Sequence, residues 1–263
     1  MKRLLIFKFI VLVLFVFPAF AQTGAQIEKE LVAAIKEVRK YSDYGSNYDG
    51  DKLSAANRDF EEKLVKYTKK ASTLAYKFPV LAKSIFIATS DDGRLRVYSW
   101  DLEGGGTMHE FGRVYQFRGA DGKVYSRGEE PSEEEDGAGS FVTDVYSVAA
   151  KKGTAYVVCS TFIGSTQDHY QSATGFRIDG DKLVDKVELF RTKEGLTDAL
   201  SFEYNFFSVV DRRERPVRLI LYDKKTKSLR IPVVVNDKKF PNGRVTNRFI
   251  TYRFDGEYFV KVK

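Results

Sequence analysis

Two histidines, His109 and His169, are the side chains of this chain best suited to acid–base chemistry near neutral pH. Glu110 follows the first and Asp168 precedes the second, so each imidazole has a carboxylate beside it in the sequence. Neighbouring residues of a strand point to opposite faces, and adjacency alone therefore does not predict a dyad. If the fold brings the two imidazoles together, they could hold a metal ion or act as base and acid; otherwise they are ordinary surface histidines.

Motifs for nucleophilic, metal or phosphate chemistry are missing from the sequence. It contains no G-x-S-x-G elbow, no H-E-x-x-H pair, no Walker loop and no C-x-x-C. The single cysteine, Cys159, lies in a run that is apolar on both strand faces, which predicts a small buried side chain. We therefore expect no catalytic residue, no metal and no cofactor. The 36 acidic residues still leave room for a carboxylate pair such as glycoside hydrolysis uses.

One polar segment invites a calcium interpretation. Asn47, Asp49 and Asp51 fall at positions 1, 3 and 5 of an EF-hand loop. Position 6 is then Lys52 instead of glycine, and position 12 is Arg58 instead of glutamate. Because the sharp turn and the bidentate ligand are both lost, we expect a polar turn here.

A candidate ligand surface can be named from aromatic, imidazole and carboxylate side chains close to predicted strand ends. Loops on a β scaffold commonly carry binding residues. The loops concerned are Asp101 to Phe111 and Ser165 to Tyr170. The candidate surface residues are Trp100, His109, Glu110, Asp168 and His169.

Two helices are predicted over residues 22–83. Ile27, Leu31, Ile35 and Val38 recur at helical spacing, after a capping-box pattern from Thr23 to Gln26. A second stripe runs from Leu53 to Phe78 in steps of three and four, which predicts one continuous helix. Asp51 is its expected N-cap, and Pro79 ends it. Since each helix has one apolar face, we expect them to pair as a hairpin or to pack on the remainder of the chain.

Residues 84–263 alternate between apolar and polar positions and predict a large antiparallel β domain. Asp-Gly pairs that suit tight hairpin turns separate the alternating runs. These pairs are Asp92-Gly93, Asp121-Gly122, Asp179-Gly180 and Asp255-Gly256. About ten to twelve strands are expected on this pattern, and Pro232 indicates an edge or a bulge. The predicted fold class is α+β, with a helical hairpin before the β domain.

The arrangement of the strands is left open between two architectures. Ser90 to Asp101 resembles the turn–strand–Trp–Asp ending of a WD-type propeller blade, which implies a propeller-like array. Trp100 is the only tryptophan, however, and a propeller repeats its signature over at least four blades. A twisted sandwich or open barrel is therefore the favoured expectation.

The first 21 residues have the form of a cleavable export signal. Lys2 and Arg3 precede an apolar run, and Ala19-Phe20-Ala21 matches the small-x-small pattern of a cleavage site. The uninterrupted part, Phe9 to Phe17, is much shorter than the ~20 residues that cross a bilayer. We expect cleavage after Ala21, no transmembrane anchor afterwards, and a bacterial periplasmic or secreted location.

Charge argues against nucleic acid as a partner. The predicted signal holds three basic residues and no acid, so 43 − 3 = 40 basic residues face 36 acidic ones in the remainder. The net charge of the remainder is therefore +4. Its basic residues do not form the concentrated stripe that nucleic-acid binding needs. The acidic segment Arg127 to Gly139 is expected to be a solvated loop, with a divalent-ion or basic-partner site as the alternative.

These observations favour an exported, non-catalytic module that binds an envelope protein or a glycan. The first alternative is a hydrolase of envelope glycans or peptides, which requires two acids, or a histidine and an acid, in one cleft. The second is an assembly role in which the helical stripe from Leu53 to Phe78 is exposed to another chain.

Overall fold

The computed structural model describes residues 22–129, 139–151 and 153–262. The predicted signal (1–21) and most of the acidic segment (130–138) lie outside these ranges. Three α-helices come first: α1 (Gly24–Lys40), α2 (Gly50–Thr68) and α3 (Ala71–Ala75). Short 3₁₀ turns span Leu81–Lys83 and Phe206–Ser208. Within the described ranges, none of the helices combines the length and apolar character needed to cross a bilayer.

Strands that pair mainly antiparallel dominate the rest of the described chain, and the α+β fold class predicted from the sequence is confirmed. The described ranges hold more strands than expected, because several are only two or three residues long. The strands are β1 (Phe86–Thr89), β2 (Leu95–Asp101), β3 (Phe111–Arg118), β4 (Val124–Gly128), β5 (Phe141–Ala150), β6 (Gly153–Ile163), β7 (Asp168–Asp179), β8 (Lys182–Val184), β9 (Phe190–Arg191), β10 (Leu196–Thr197), β11 (Ala199–Asn205), β12 (Leu221–Asp223), β13 (Ser228–Asp237), β14 (Phe240–Phe254) and β15 (Phe259–Lys261).

The strands form three sheets. Sheet I has the order β1-β2-β3-β4, and sheet II has the order β11-β7-β6-β5 with β8 paired to β7. Sheet III has the order β10-β9-β15-β14-β13-β12. All the pairings are antiparallel except that of β15 with β9. Because the sheets stack and do not close, the architecture is an open stack and not a propeller or a barrel.

Four layers follow one another through the molecule: helices, sheet I, sheet II and sheet III. Sheet II is the middle sheet, and the alternation of its strands explains why β6 is apolar on both faces. Tyr156 and Val158 pack in the core shared with sheet I. Val157 and Cys159 pack in the core shared with sheet III. Cys159 is buried, as its sequence context predicts.

The four Asp-Gly pairs are confirmed as hairpin turns. They join β1 to β2, β3 to β4, β7 to β8, and β14 to β15. The glycine has a positive φ in each, from 60° at Gly180 to 103° at Gly256, where a residue without Cβ is least strained. Pro232 lies beside a register shift between β13 and β14, which confirms the predicted bulge.

The helix prediction is correct in position but wrong in two details. Thr23 and Gln26 form the expected capping box of α1. The N-cap of α2 is Asp49 rather than Asp51, since its side chain accepts from the backbone N of Lys52. The second helix also does not run unbroken to Phe78: it ends at Thr68.

The break after Thr68 coincides with a buried polar group on sheet I. Gln116 is fully buried, and its Nε2 donates to the Thr68 carbonyl at 2.7 Å and to Thr73 Oγ1 at 2.8 Å. Arg96 donates to the carbonyls of Thr73 and Tyr76 at 3.0 and 2.7 Å. Sheet I thus supplies donors to carbonyls at the C-terminal ends of α2 and α3.

The helices and sheet I share one hydrophobic core. The stripe residues Leu53, Phe60 and Leu64 are buried in it together with Tyr98 and Trp100 of sheet I. The stripe is therefore not available to another chain, and the assembly role that depended on its exposure has no surface here. Residue 84 separates the helical segment from the β-strands. Residues on both sides of it nevertheless pack in the same hydrophobic core.

Candidate functional site

A cleft of about 540 Å³ opens at one end of the first two sheets. The end of β2, the start of β3, the start of β5 and the end of β6 meet there. The C-terminal end of α1 and the segment before Val217 contribute its sides. An apolar floor with a few convergent polar groups is the usual form of a ligand site, and this cleft has both.

The floor is aromatic. The rings of Phe86 and Phe141 stack with centroids 4.1 Å apart and planes at 18°. Phe111 packs against Phe141 at 5.0 Å. Ile163 completes the apolar lining. Since the three rings come from β1, β3 and β5, the stacking of sheet I on sheet II is what places them together.

The main polar feature of the cleft is a histidine–carboxylate pair. His109 Nδ1 lies 2.5 Å from Asp101 Oδ2, and both side chains are partly exposed. When Nδ1 carries the proton, it donates to the carboxylate and Nε2 keeps a free lone pair. The Nε2 atom makes no hydrogen bond with any described residue. The imidazole is thus oriented by Asp101 and can accept a proton or a hydrogen bond.

The linker between α1 and α2 holds the loop that carries this pair. Tyr44 Oη donates to the Gly104 carbonyl at 2.6 Å, and its ring lies 5.2 Å from the His109 ring. The Asp43 amide donates to the Glu103 carbonyl at 2.8 Å. Partial burial, followed by the fields of Asp101 and Glu103, raises the pKa of Tyr44 to about 12. The Tyr44 hydroxyl therefore stays protonated as a donor.

The lining of the cleft carries charges of both signs. Arg39 lies 3.7 Å from Glu103 and donates to the Ser84 carbonyl at 2.7 Å. Lys83 and Arg215 add two further cations to the lining. The carboxylates of the lining are Glu103, paired with Arg39, and Asp101, paired with His109.

The structure removes Trp100 from the candidate ligand surface. Its side chain is 1% exposed, and Nε1 donates to Asn57 Oδ1 at 3.0 Å. Phe60 of α2 packs edge-on against it at 5.1 Å. The helical layer covers this face of sheet I, which the position of Trp100 in an alternating strand does not reveal.

The remaining candidates are dispersed around the cleft. His109 lines it, but Glu110 does not; the Glu110 carbonyl accepts from the Leu102 amide at 2.8 Å. Asp168 accepts from Ser165 Oγ at 2.7 Å and from Asn242, so its carboxylate holds a turn in place. Its role is therefore structural in this arrangement.

His169 lies outside the cleft but next to its wall. Its ring stacks on Phe206 at 4.6 Å, and the guanidinium of the lining residue Arg215 lies 5.7 Å from the same ring of Phe206. Burial lowers the pKa of His169 to about 4, although the Asp168 carboxylate acts in the opposite direction. His169 is thus neutral at physiological pH.

The fold brings the two histidines into register without forming a metal site. Ile163 is the backbone partner of both His109 and His169. Two strand spacings separate their Cα atoms by about 10 Å. Across the described ranges, no group of three or more potential ligands could hold a metal ion. Asp49, from the calcium interpretation, is paired with Lys52 at 2.7 Å.

Several lining residues were missed by sequence reasoning. Asp101 lies eight residues before His109, and only the reversal of the intervening loop brings the two side chains together. Arg39 and Arg215 come from segments far from that loop, and no local pattern links them to it. The only signal in the sequence was the loop Asp101 to Phe111 itself, whose residues supply four of the lining positions.

Comparison with known proteins gave no match: no family model, no curated protein and no solved structure is similar to this chain.

Proposed function

We propose that this chain is an exported, non-catalytic binding protein of the cell envelope, and that the cleft beside His109 holds its ligand. The proposal rests on one observation: the cleft combines an aromatic floor with charged groups of both signs at its rim. Such a lining suits an apolar side chain flanked by polar backbone groups. A peptide segment of an envelope protein fits it best, and a glycan with an apolar sugar face is the alternative.

Export is supported by the leader pattern that ends in Ala19-Phe20-Ala21. The expected mature chain begins at Gln22, immediately before the capping box of α1. Mass spectrometry of the protein purified from its source should find this N-terminus in the periplasmic or secreted fraction. A chain that keeps Met1, or that stays in the cytosol, contradicts export and leaves the binding role of the cleft untouched.

The binding proposal is tested by calorimetric titration of residues 22–263 with short peptides and envelope glycan fragments. The best ligand is then titrated into two cleft variants, Arg39→Ala and His109→Ala, and into Arg248→Ala as a matched surface control. Loss of one charge-assisted contact should weaken binding about tenfold or more. Absence of any ligand in the panel, or equal weakening in the control, counts against the cleft.

The His109–Asp101 pair favours hydrolysis as the second candidate function. A histidine oriented by a carboxylate can act as a general base toward water or a hydroxyl. No serine, threonine or cysteine side chain of the described residues is hydrogen-bonded to His109, so the nucleophile would be water. Turnover of peptide or glycan substrates that is lost in His109→Gln would establish this candidate over simple binding.

A further inference from the structure

No layer of the described residues covers the outer face of sheet III, since this sheet ends the stack that they form. Its inner face packs on sheet II, and the alternation of strand residues sends every second side chain outward. The strand registers align one outward row across β10, β9, β15 and β14. That row contains Leu196, Arg191, Val260 and Arg253.

A second outward row lies beside the first. The Val262 amide donates to the Thr251 carbonyl at 2.8 Å, and Thr251 pairs with Arg230. Phe249 precedes Thr251 on the same side of β14, and the Arg230 guanidinium lies 5.2 Å from the centroid of its ring. Three large apolar side chains are well exposed on this one face: Leu196 at 37%, Phe249 at 37% and Val262 at 39%.

The face is cationic as well as apolar. Arg191, Arg230 and Arg253 are exposed, and none of them forms an ion pair with a described residue. Asp223 shares the rows at the edge of the sheet, where it accepts from the Lys225 and Thr226 amides. A second carboxylate, Asp255, lies in the turn after β14, where backbone hydrogen bonds lower its pKa and the field of Arg191 contributes to this lowering. The centre of the face therefore presents guanidinium groups between apolar side chains.

A recess of about 410 Å³ adjoins these rows at β9 and β15. Its charged lining consists of Arg191, Lys193 and Lys261 with one carboxylate, Glu194. Three cations against one acid favour an anionic group of phosphate size. The recess shares Arg191 and Val260 with the first row, while Lys261 and its register partner Tyr252 occupy the opposite, inward-facing positions. An anion in it would therefore lie at the edge of the apolar face.

We propose that the outer face of sheet III docks this protein on an anionic phospholipid surface. Lipid headgroups supply phosphates for the three arginines, and the adjoining acyl boundary accepts Leu196, Phe249 and Val262. A second copy of the chain fits less well, because a symmetric contact would set arginines against arginines. The proposal does not depend on the cleft, which lies between sheets I and II.

Vesicle co-sedimentation of residues 22–263 tests the proposal. The probes are vesicles of pure phosphatidylcholine and vesicles of phosphatidylcholine mixed with phosphatidylglycerol. The test variant is Arg191→Gln/Arg230→Gln/Arg253→Gln. The matched control, Lys29→Gln/Lys36→Gln/Arg58→Gln, removes three exposed cations from the helical layer at the opposite end of the stack. Circular dichroism checks that both variants fold.

We expect binding to the anionic vesicles alone, weakened roughly 100-fold in the sheet III variant at low salt. The control variant should bind as the parent chain does. Phe249→Ser should weaken binding at high salt, where the apolar contact dominates. Equal loss in both triple variants, equal binding to neutral vesicles, or no binding to either vesicle would overturn the proposal.

Discussion

Acid titration of His169 offers a quantitative test of the packing beside the cleft. The ring stacks on Phe206 and is half-buried, and its pKa falls from 6.5 in the unfolded chain to about 4 in the folded one. Between these values the unfolded chain binds a proton that the folded chain does not. Stability associated with the neutral ring is therefore complete above pH 6.5 and is lost as the pH falls toward 4.

The size of the effect follows from the shift. At about 1.4 kcal/mol per pKa unit, the full shift corresponds to roughly 3 kcal/mol. Solvent screens a half-exposed ring, so we expect about 1–2 kcal/mol of the free energy of unfolding to be lost on acidification. His169→Phe should abolish this acid-induced loss of stability, because phenylalanine keeps the stacking on Phe206 and takes up no proton.

Urea denaturation of residues 22–263, followed by circular dichroism at neutral pH and near pH 4.5, measures the difference. The acid-induced loss in the parent chain should exceed that in His169→Phe by the stated amount. The same difference should persist in a His109→Gln background, which separates the two histidines. If the variant loses as much stability on acidification as the parent does, the burial argument for His169 is refuted.

Three further predictions concern buried groups. Glu28→Ala should cost about 2–4 kcal/mol, because the buried carboxylate accepts from the Val80 and Leu81 amides at 2.7 and 2.9 Å; the exposed Glu37→Ala should be nearly neutral in the same denaturation assay. Arg96→Met should cost about 2–4 kcal/mol, because the buried guanidinium's bond to the Tyr76 carbonyl is lost and the Thr73 carbonyl keeps only the Tyr76 amide at 3.3 Å. Cys159, whose pKa burial raises, should resist thiol reagents until the protein unfolds.

Each of these has a contrary outcome. A Glu28→Ala variant as stable as Glu37→Ala would mean that the 3₁₀ turn after Pro79 does not depend on the carboxylate. An Arg96→Met variant of unchanged stability would mean that the end of α3 does not depend on this donor from sheet I. Rapid labelling of Cys159 in folded protein would contradict its position between sheets II and III.

Local signals predicted much of the fold because they act over a few residues. Asp-Gly pairs fix positive-φ turns, and the capping box from Thr23 to Gln26 fixes the start of α1. The same signals failed at α2, where the apolar stripe continues past Thr68 but the helix does not. At this break the terminal carbonyl is bound by Gln116, which lies 48 residues away in the sequence and so leaves no local signal.

The sequence by itself determined the helix-then-sheet order, the hairpin turns and the burial of Cys159, since periodicity and turn chemistry are properties of short segments. The tertiary structure alone decided which residues meet at the cleft. Trp100 and His109 lie only nine residues apart in the sequence. The helical layer nevertheless buries Trp100, while a loop turns His109 toward Asp101. Which face of a sheet is covered depends on how the layers stack. The alternation of apolar and polar residues within one strand does not show it.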